Sequence, residues 1–111
     1  MRLLSPDVTT ASLAHQPLPG EEVVDGSPTA AVVALDTVGG AEVGLWEMTA
    51  GTARDTEVDE VFVVVSGSGH VTFEDGQRVE LAPGVAVRLT AGERTTWTVT
   101  ERLRKVWVAS A

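Results

Sequence analysis

The chain has 111 residues, 43% of them hydrophobic and 22% charged, which is ordinary usage for one globular domain. Sixteen acidic residues against eight basic ones give a formal charge of −8, which argues against nucleic acid and anionic membranes as partners, because both demand a basic footprint. Cysteine is absent, which excludes a disulfide framework, a thiol nucleophile and a thiolate metal site.

Pro6 and Asp7 follow Met1 to Leu4 at once, so no signal-peptide core forms, and no run approaches the roughly 18 apolar residues of a membrane span. A cytoplasmic protein is the expectation. Ser5-Pro6-Asp7 suits the cap of one helical turn, and Gln16-Pro17-Leu18-Pro19-Gly20 reads as extended. Residues 1–28 are expected to form an arm lying on a domain of residues 29–111. Thr29 to Thr37 is apolar enough for a strand covered on both faces, and Gly39-Gly40 turns the chain into Val43 to Thr49. Val61 to Val65 reads as a second strand without a solvent face, closed by the turn Ser66-Gly67-Ser68-Gly69. His70 to Glu74 alternates, Asp75-Gly76 makes a hairpin, and Gln77 to Leu81 is its mate. Val85 to Leu89, Thr95 to Thr100 and Lys105 to Ala109 complete the series, with Thr95, Trp97 and Val99 sharing one face. Eight or so short strands without a long helical period predict an all-β barrel or sandwich with under about 10% helix.

Two stretches carry a family resemblance. Six residues separate Glu60 from Gly67, five separate Gly84 from Thr90-Ala91-Gly92, and Thr95 follows at a position that is His in metal-binding relatives. The chain thereby resembles the cupins, which implies a double-stranded β-helix, or jelly-roll barrel. More narrowly it is similar to the RmlC-like domains of the (S)-ureidoglycine aminohydrolase type. That likeness lies in Glu22-Val23-Val24-Asp25-Gly26, Val43-Gly44-Leu45-Trp46-Glu47, Asp59-Glu60-Val61-Phe62, Val71 to Gly76, Trp97-Thr98-Val99 and Leu103 to Trp107.

Metal-binding cupins present two His, a Glu and a distant His to one divalent ion. The matching positions here hold Arg54 and Thr56, or Ala53 and Asp55, then Glu60 and Thr95, so one ligand of four remains. His15 in the arm and His70 on a polar strand face read as hydrogen-bonded or solvated side chains. Glu57, Asp59 and Glu60, with Glu47, could form a carboxylate site for Mg or Ca, although Glu57 and Asp59 also fit a solvated loop. The expectation is a metal-free cupin without a cofactor.

Residues 60, 62 and 64 share a strand face, so Phe62 and Val64 flank Glu60. Glu60 is either an acid/base raised by burial or the partner of a barrel cation, from Arg54, Arg88, Arg94 or Lys105. Trp46 and Trp97 either fill the barrel or form an aromatic wall for a ligand, and Trp107 reads as packing or dimer contact. Lys105 could clamp a ligand carboxylate or answer Glu60. The residues expected at a pocket are thus Glu60 as the catalytic candidate, with Trp46, Arg54, Phe62, Arg88, Thr95, Trp97 and Lys105 as ligand contacts. The first functional expectation is a homodimeric accessory protein that binds a small polar molecule. The second is a metal-independent isomerase, lyase or cyclase using Glu60, and the third a metal-dependent hydrolase like the resembled enzymes.

Overall fold

The computed structural model describes residues 2–110 and contains nine strands. These are β1 (Gln16–Pro17), β2 (Val23–Asp25), β3 (Thr29–Val38), β4 (Ala41–Met48), β5 (Gly51–Thr56), β6 (Glu60–Phe73), β7 (Arg78–Leu81), β8 (Ala86–Leu89) and β9 (Arg94–Ser110). Among the described residues there is no helix, and hence none long and apolar enough to cross a membrane. The first turn of the arm is closed by Asp7, whose carboxylate accepts the Thr9 amide at 2.9 Å, and no helix follows it.

β9 organises the sheet. Its first half pairs with β5, its second half with β4, and its other edge with β6 along nearly the whole length. β3 and β1 extend the sheet beyond β4, β2 extends it beyond β5, and β7 and β8 pair with the two ends of β6. Residues of the arm therefore supply two strands of the sheet itself. The sheet curls around a core that includes Phe62, Val64, Val71, Leu89, Trp97 and Leu103. Curling closes apolar faces on one another and leaves fewer open edges.

Three sequence expectations change in the folded chain. The segment Ser66-Gly67-Ser68-Gly69 does not end a strand, because β6 runs straight through it with successive register shifts against β9. Before the shifts Phe62 and Val64 point inward, and after them Val71 does. The irregularity thus moves the inward face from even to odd residues, so both halves of β6 contribute to one core. Gly67 makes this possible at φ +89°, where an added Cβ would collide with the Arg102 carbonyl. Likewise Thr95 to Thr100 and Lys105 to Ala109 belong to one 17-residue strand.

The third change concerns covering. The apolar stretches Ala30 to Leu35 and Val61 to Val65 are not covered on both faces. Val32 is 69% exposed, and Val61 and Val63 are 45% and 41% exposed, because nothing among the described residues packs over them. The arm instead covers β4 and β9. Glu47 and Arg104, both buried, pair at 2.7 Å, His15 Nε2 lies 2.7 Å from the other Glu47 oxygen, and Arg104 donates to the Val8 carbonyl at 2.9 Å. Burial works to raise the Glu47 carboxyl, but hydrogen bonds from Arg104 and His15 outweigh it and hold the group below its ordinary value.

Candidate functional site

The inward face of β9 builds the site. Alternation directs Thr95, Trp97, Lys105 and Trp107 into the barrel, and all four are buried. Register then sets Trp46 of β4 opposite Lys105, and Ala53 of β5 opposite Trp97, while β6 brings Glu60 and Phe62 from the other side.

Lys105 and Glu60 form an ion pair of 2.6 Å, with side chains 6% and 11% exposed. The ammonium also lies 4.9, 4.3 and 4.8 Å from the ring centroids of Trp46, Phe62 and Trp97. Trp97 contacts the other two rings in tilted geometry, at 5.4 Å to Trp46 and 5.5 Å to Phe62. A desolvated ammonium over one ring is stabilised by about 2 kcal/mol, so three rings and a carboxylate make this a strong cation environment.

A second buried carboxylate fixes the aromatic wall. Glu57 Oε2 accepts the Thr95 hydroxyl at 2.5 Å and the Trp97 indole N–H at 3.0 Å. From the sequence Glu57 reads as part of a solvated acidic loop; in the structure it is only 7% exposed. Its role was hidden because the partners lie 38 and 40 residues away, and only the β5–β9 register brings them together. Trp107 also faces the cavity, and its indole nitrogen is buried without a partner among the described residues.

Trp46, Glu57, Glu60, Trp97, Lys105 and Trp107 line a cavity of about 140 Å³ that also includes Glu22, Arg54 and Asp55. A wider groove of about 400 Å³ shares those three residues but contains neither the ion pair nor the indoles. The smaller cavity is therefore where directed polar groups and aromatic surface coincide. Asp55 is an exposed residue overall, yet its carboxyl faces the cavity mouth. Burial there, then the neighbouring Glu57 carboxylate, raise it to about 6.

The structure brings together Trp46, Phe62, Thr95, Trp97, Lys105 and Glu60, with Arg54 at the rim. It does not bring Arg88. Val87 and Leu89 take the inward positions of β8, so Arg88 points outward and meets Asp59 at 3.2 Å on the surface.

A cupin metal does not fit this donor set. Glu60 is held by the Lys105 ammonium, Thr95 donates to Glu57, and Arg54 stands at the rim where a ligand would be needed. Among the described residues no cluster of three His, Cys, Asp or Glu side chains could hold an ion.

Residues 35–107 match the model of the EutQ-like cupin domain. No curated protein matches the chain. Among solved structures, the Clostridium difficile EutQ protein superposes with a TM-score of 0.73 at 19% identity, over 96% of this chain and 85% of that one. A protein of unknown function from Pseudomonas syringae pv. tomato gives 0.77 at 21% identity, over 91% of this chain but 45% of that one. Ectoine synthase from P. lautus gives 0.63 at 19% identity, over 81% and 69%. At these identities the likeness is one of fold.

Proposed function

The chain belongs to the family of EutQ-like cupin domains, and from that premise we propose that it is a binding cupin, without catalysis, for a small polar molecule. The observation that supports this reading is the state of Glu60. Its 2.6 Å pair with Lys105 makes it a fixed part of the wall rather than a group poised to exchange protons. Around that pair lie three aromatic rings and a preformed cavity, the usual make-up of a small-molecule site. A second reading, metal-independent acid–base catalysis, draws support from Asp55, whose carboxyl at about 6 stands at the cavity mouth. The narrower kinship with (S)-ureidoglycine aminohydrolase-type domains remains a proposal resting on the sequence segments, and a metal-dependent hydrolase has no supporting cluster of three His, Cys, Asp or Glu side chains among the described residues.

The test is a thermal-shift and tryptophan-fluorescence screen of small acids, amines, sugars and ureido compounds. A ligand that binds only the native state raises the melting temperature in step with log concentration. Trp97→Ala should weaken ligand binding, read by the fluorescence of Trp46 and Trp107, and also lower stability by about 3–5 kcal/mol, since the ring is core as well as wall. A parent protein that responds to no compound would remove the binding reading. Turnover of a compound, lost in Asp55→Asn, would favour catalysis.

A further inference from the structure

One buried polar group at the cavity is left without a partner, and it is a donor. Among the described residues the Trp107 indole nitrogen meets no acceptor, although the side chain lines the cavity and the residue is only 7% exposed. An indole nitrogen can only donate, so no change of tautomer answers it. The ring rests on the bare Cα of Gly44, where any Cβ would overlap it, so packing rather than hydrogen bonding fixes the indole. The next donor on the same inward face of β9 is also short of oxygen. Lys105 carries three N–H bonds and has one acceptor among the described residues, Glu60 Oε2, with the rings of Trp46, Phe62 and Trp97 around it otherwise. A buried donor left unpaired weakens the fold by more than a made bond returns, and the cavity is where an acceptor can enter.

We propose that the cavity takes a small neutral carbonyl compound, its oxygen accepting from Trp107 Nε1 and its short aliphatic part lying against Leu18, Met48 and Ala53, which line the same space. The inference rests on the binding reading and names its ligand class. Charge selects the kind of acceptor. Glu22, Asp55, Glu57 and Glu60 line the cavity against Arg54 and Lys105, and Glu60 already matches Lys105. An anionic oxygen would therefore enter a space with surplus negative charge. A cation would bring further N–H groups and not the acceptor that Trp107 lacks. A neutral carbonyl supplies the acceptor without the charge, and an amide does so best, because resonance places more negative charge on its oxygen than a ketone carries. The cavity, at about 140 Å³, is small beside the roughly 300–1,000 Å³ of drug-sized sites, so the compound has only several heavy atoms.

The experiment follows the three indole N–H signals by ¹H–¹⁵N NMR, with Trp107 assigned through its contact with Gly44. Four molecules of nearly one shape are added in turn: isobutyramide, 3-methyl-2-butanone, isobutyrate and isobutylammonium. Isobutyramide should move the Trp107 signal downfield, as an N–H moves on gaining an acceptor, and saturate with a dissociation constant on the order of 1 mM, as befits about six heavy atoms. The ketone should bind several-fold more weakly, and the two ions more weakly still. Trp107→Phe, which keeps a ring against Gly44 and removes the N–H, should weaken isobutyramide about tenfold. Isobutyrate or isobutylammonium binding more tightly than isobutyramide would overturn the inference and leave the binding reading intact. So would isobutyramide binding that Trp107→Phe does not weaken, or that moves only the Trp46 or Trp97 signal. Silence toward all four would mean that water alone meets the N–H. The inference then fails, and the thermal-shift screen decides the binding reading by itself. Should Trp107→Phe fail to fold, the Trp107 signal of the parent still decides, a downfield shift supporting the inference and an upfield shift or none overturning it.

Discussion

Gly44 carries a hydrogen where any other residue would place a carbon against the Trp107 ring and the Val33 carbonyl. The backbone oxygen cannot yield as a side chain would, so Gly44→Ala should destabilise by about 1–3 kcal/mol. A lowered urea midpoint with an unchanged slope is the expected measurement. Asp55 makes a different prediction. Its folded value, about 6, lies above the ordinary 3.8, so the folded state holds its proton more firmly than the unfolded state does. The contribution to stability is full below about pH 4 and is lost as pH rises through 6. Asp55→Asn should therefore melt higher than the parent at pH 7.5, with the difference closing toward pH 4. A carboxylate that weakens the fold at neutral pH is typical of groups retained for a site.

At the level of strands, the arm is held by an electrostatic clasp rather than by apolar packing alone. Glu47 bonds to both His15 and Arg104, and the Glu47–Arg104 pair is buried. Removing one side by Glu47→Ala strands the Arg104 guanidinium and should destabilise by about 3–5 kcal/mol. Because the Glu47 carboxyl is lowered from 4.5, its stabilisation is present above that value and disappears as pH falls through the folded one. Acid titration by circular dichroism should show Glu47→Ala losing the parent's advantage there. The same strands show what could be read from the sequence. Apolar runs and Gly-rich turns located most strands, and alternation set Thr95, Trp97 and Val99 on one inward face. The continuity of β6 was not legible, because Ser-Gly-Ser-Gly has the composition of a turn while acting here as a series of register shifts. Glu57 was missed for a related reason: no local pattern distinguishes a carboxylate in a loop from one beneath a distant indole. Glu60 and Lys105, by contrast, stood at inward positions of apolar strands, where a charge must find a partner.

For the molecule as a whole, the uncovered valines form an exposed apolar surface. Val63 and Val106 pair across β6 and β9, and Val61 and Val108 pair beside them, giving outward apolar rows. Val33 and Val43 continue the surface on β3 and β4. We propose that a second copy covers this face, since a chain of this size buries only about two-thirds of its unfolded surface. Sedimentation at micromolar concentration should show a dimer, and Val61→Glu should yield a folded monomer. A parent that sediments as a monomer would refute the pairing.

The position of β9 has a consequence for biosynthesis. Of the nine strands it is the last to leave the ribosome, yet β4, β5 and β6 all await it as their hydrogen-bonding neighbour. Until it emerges, β4 and β6 expose apolar edges with no proper mate, and the cavity lacks Trp97, Lys105 and Trp107. Pairing of β4, β5 and β6 with their shared neighbour therefore comes late in synthesis and nearly all at once. A ribosome-stalled chain ending before Arg94 should accordingly be digested by protease as readily as an unfolded one.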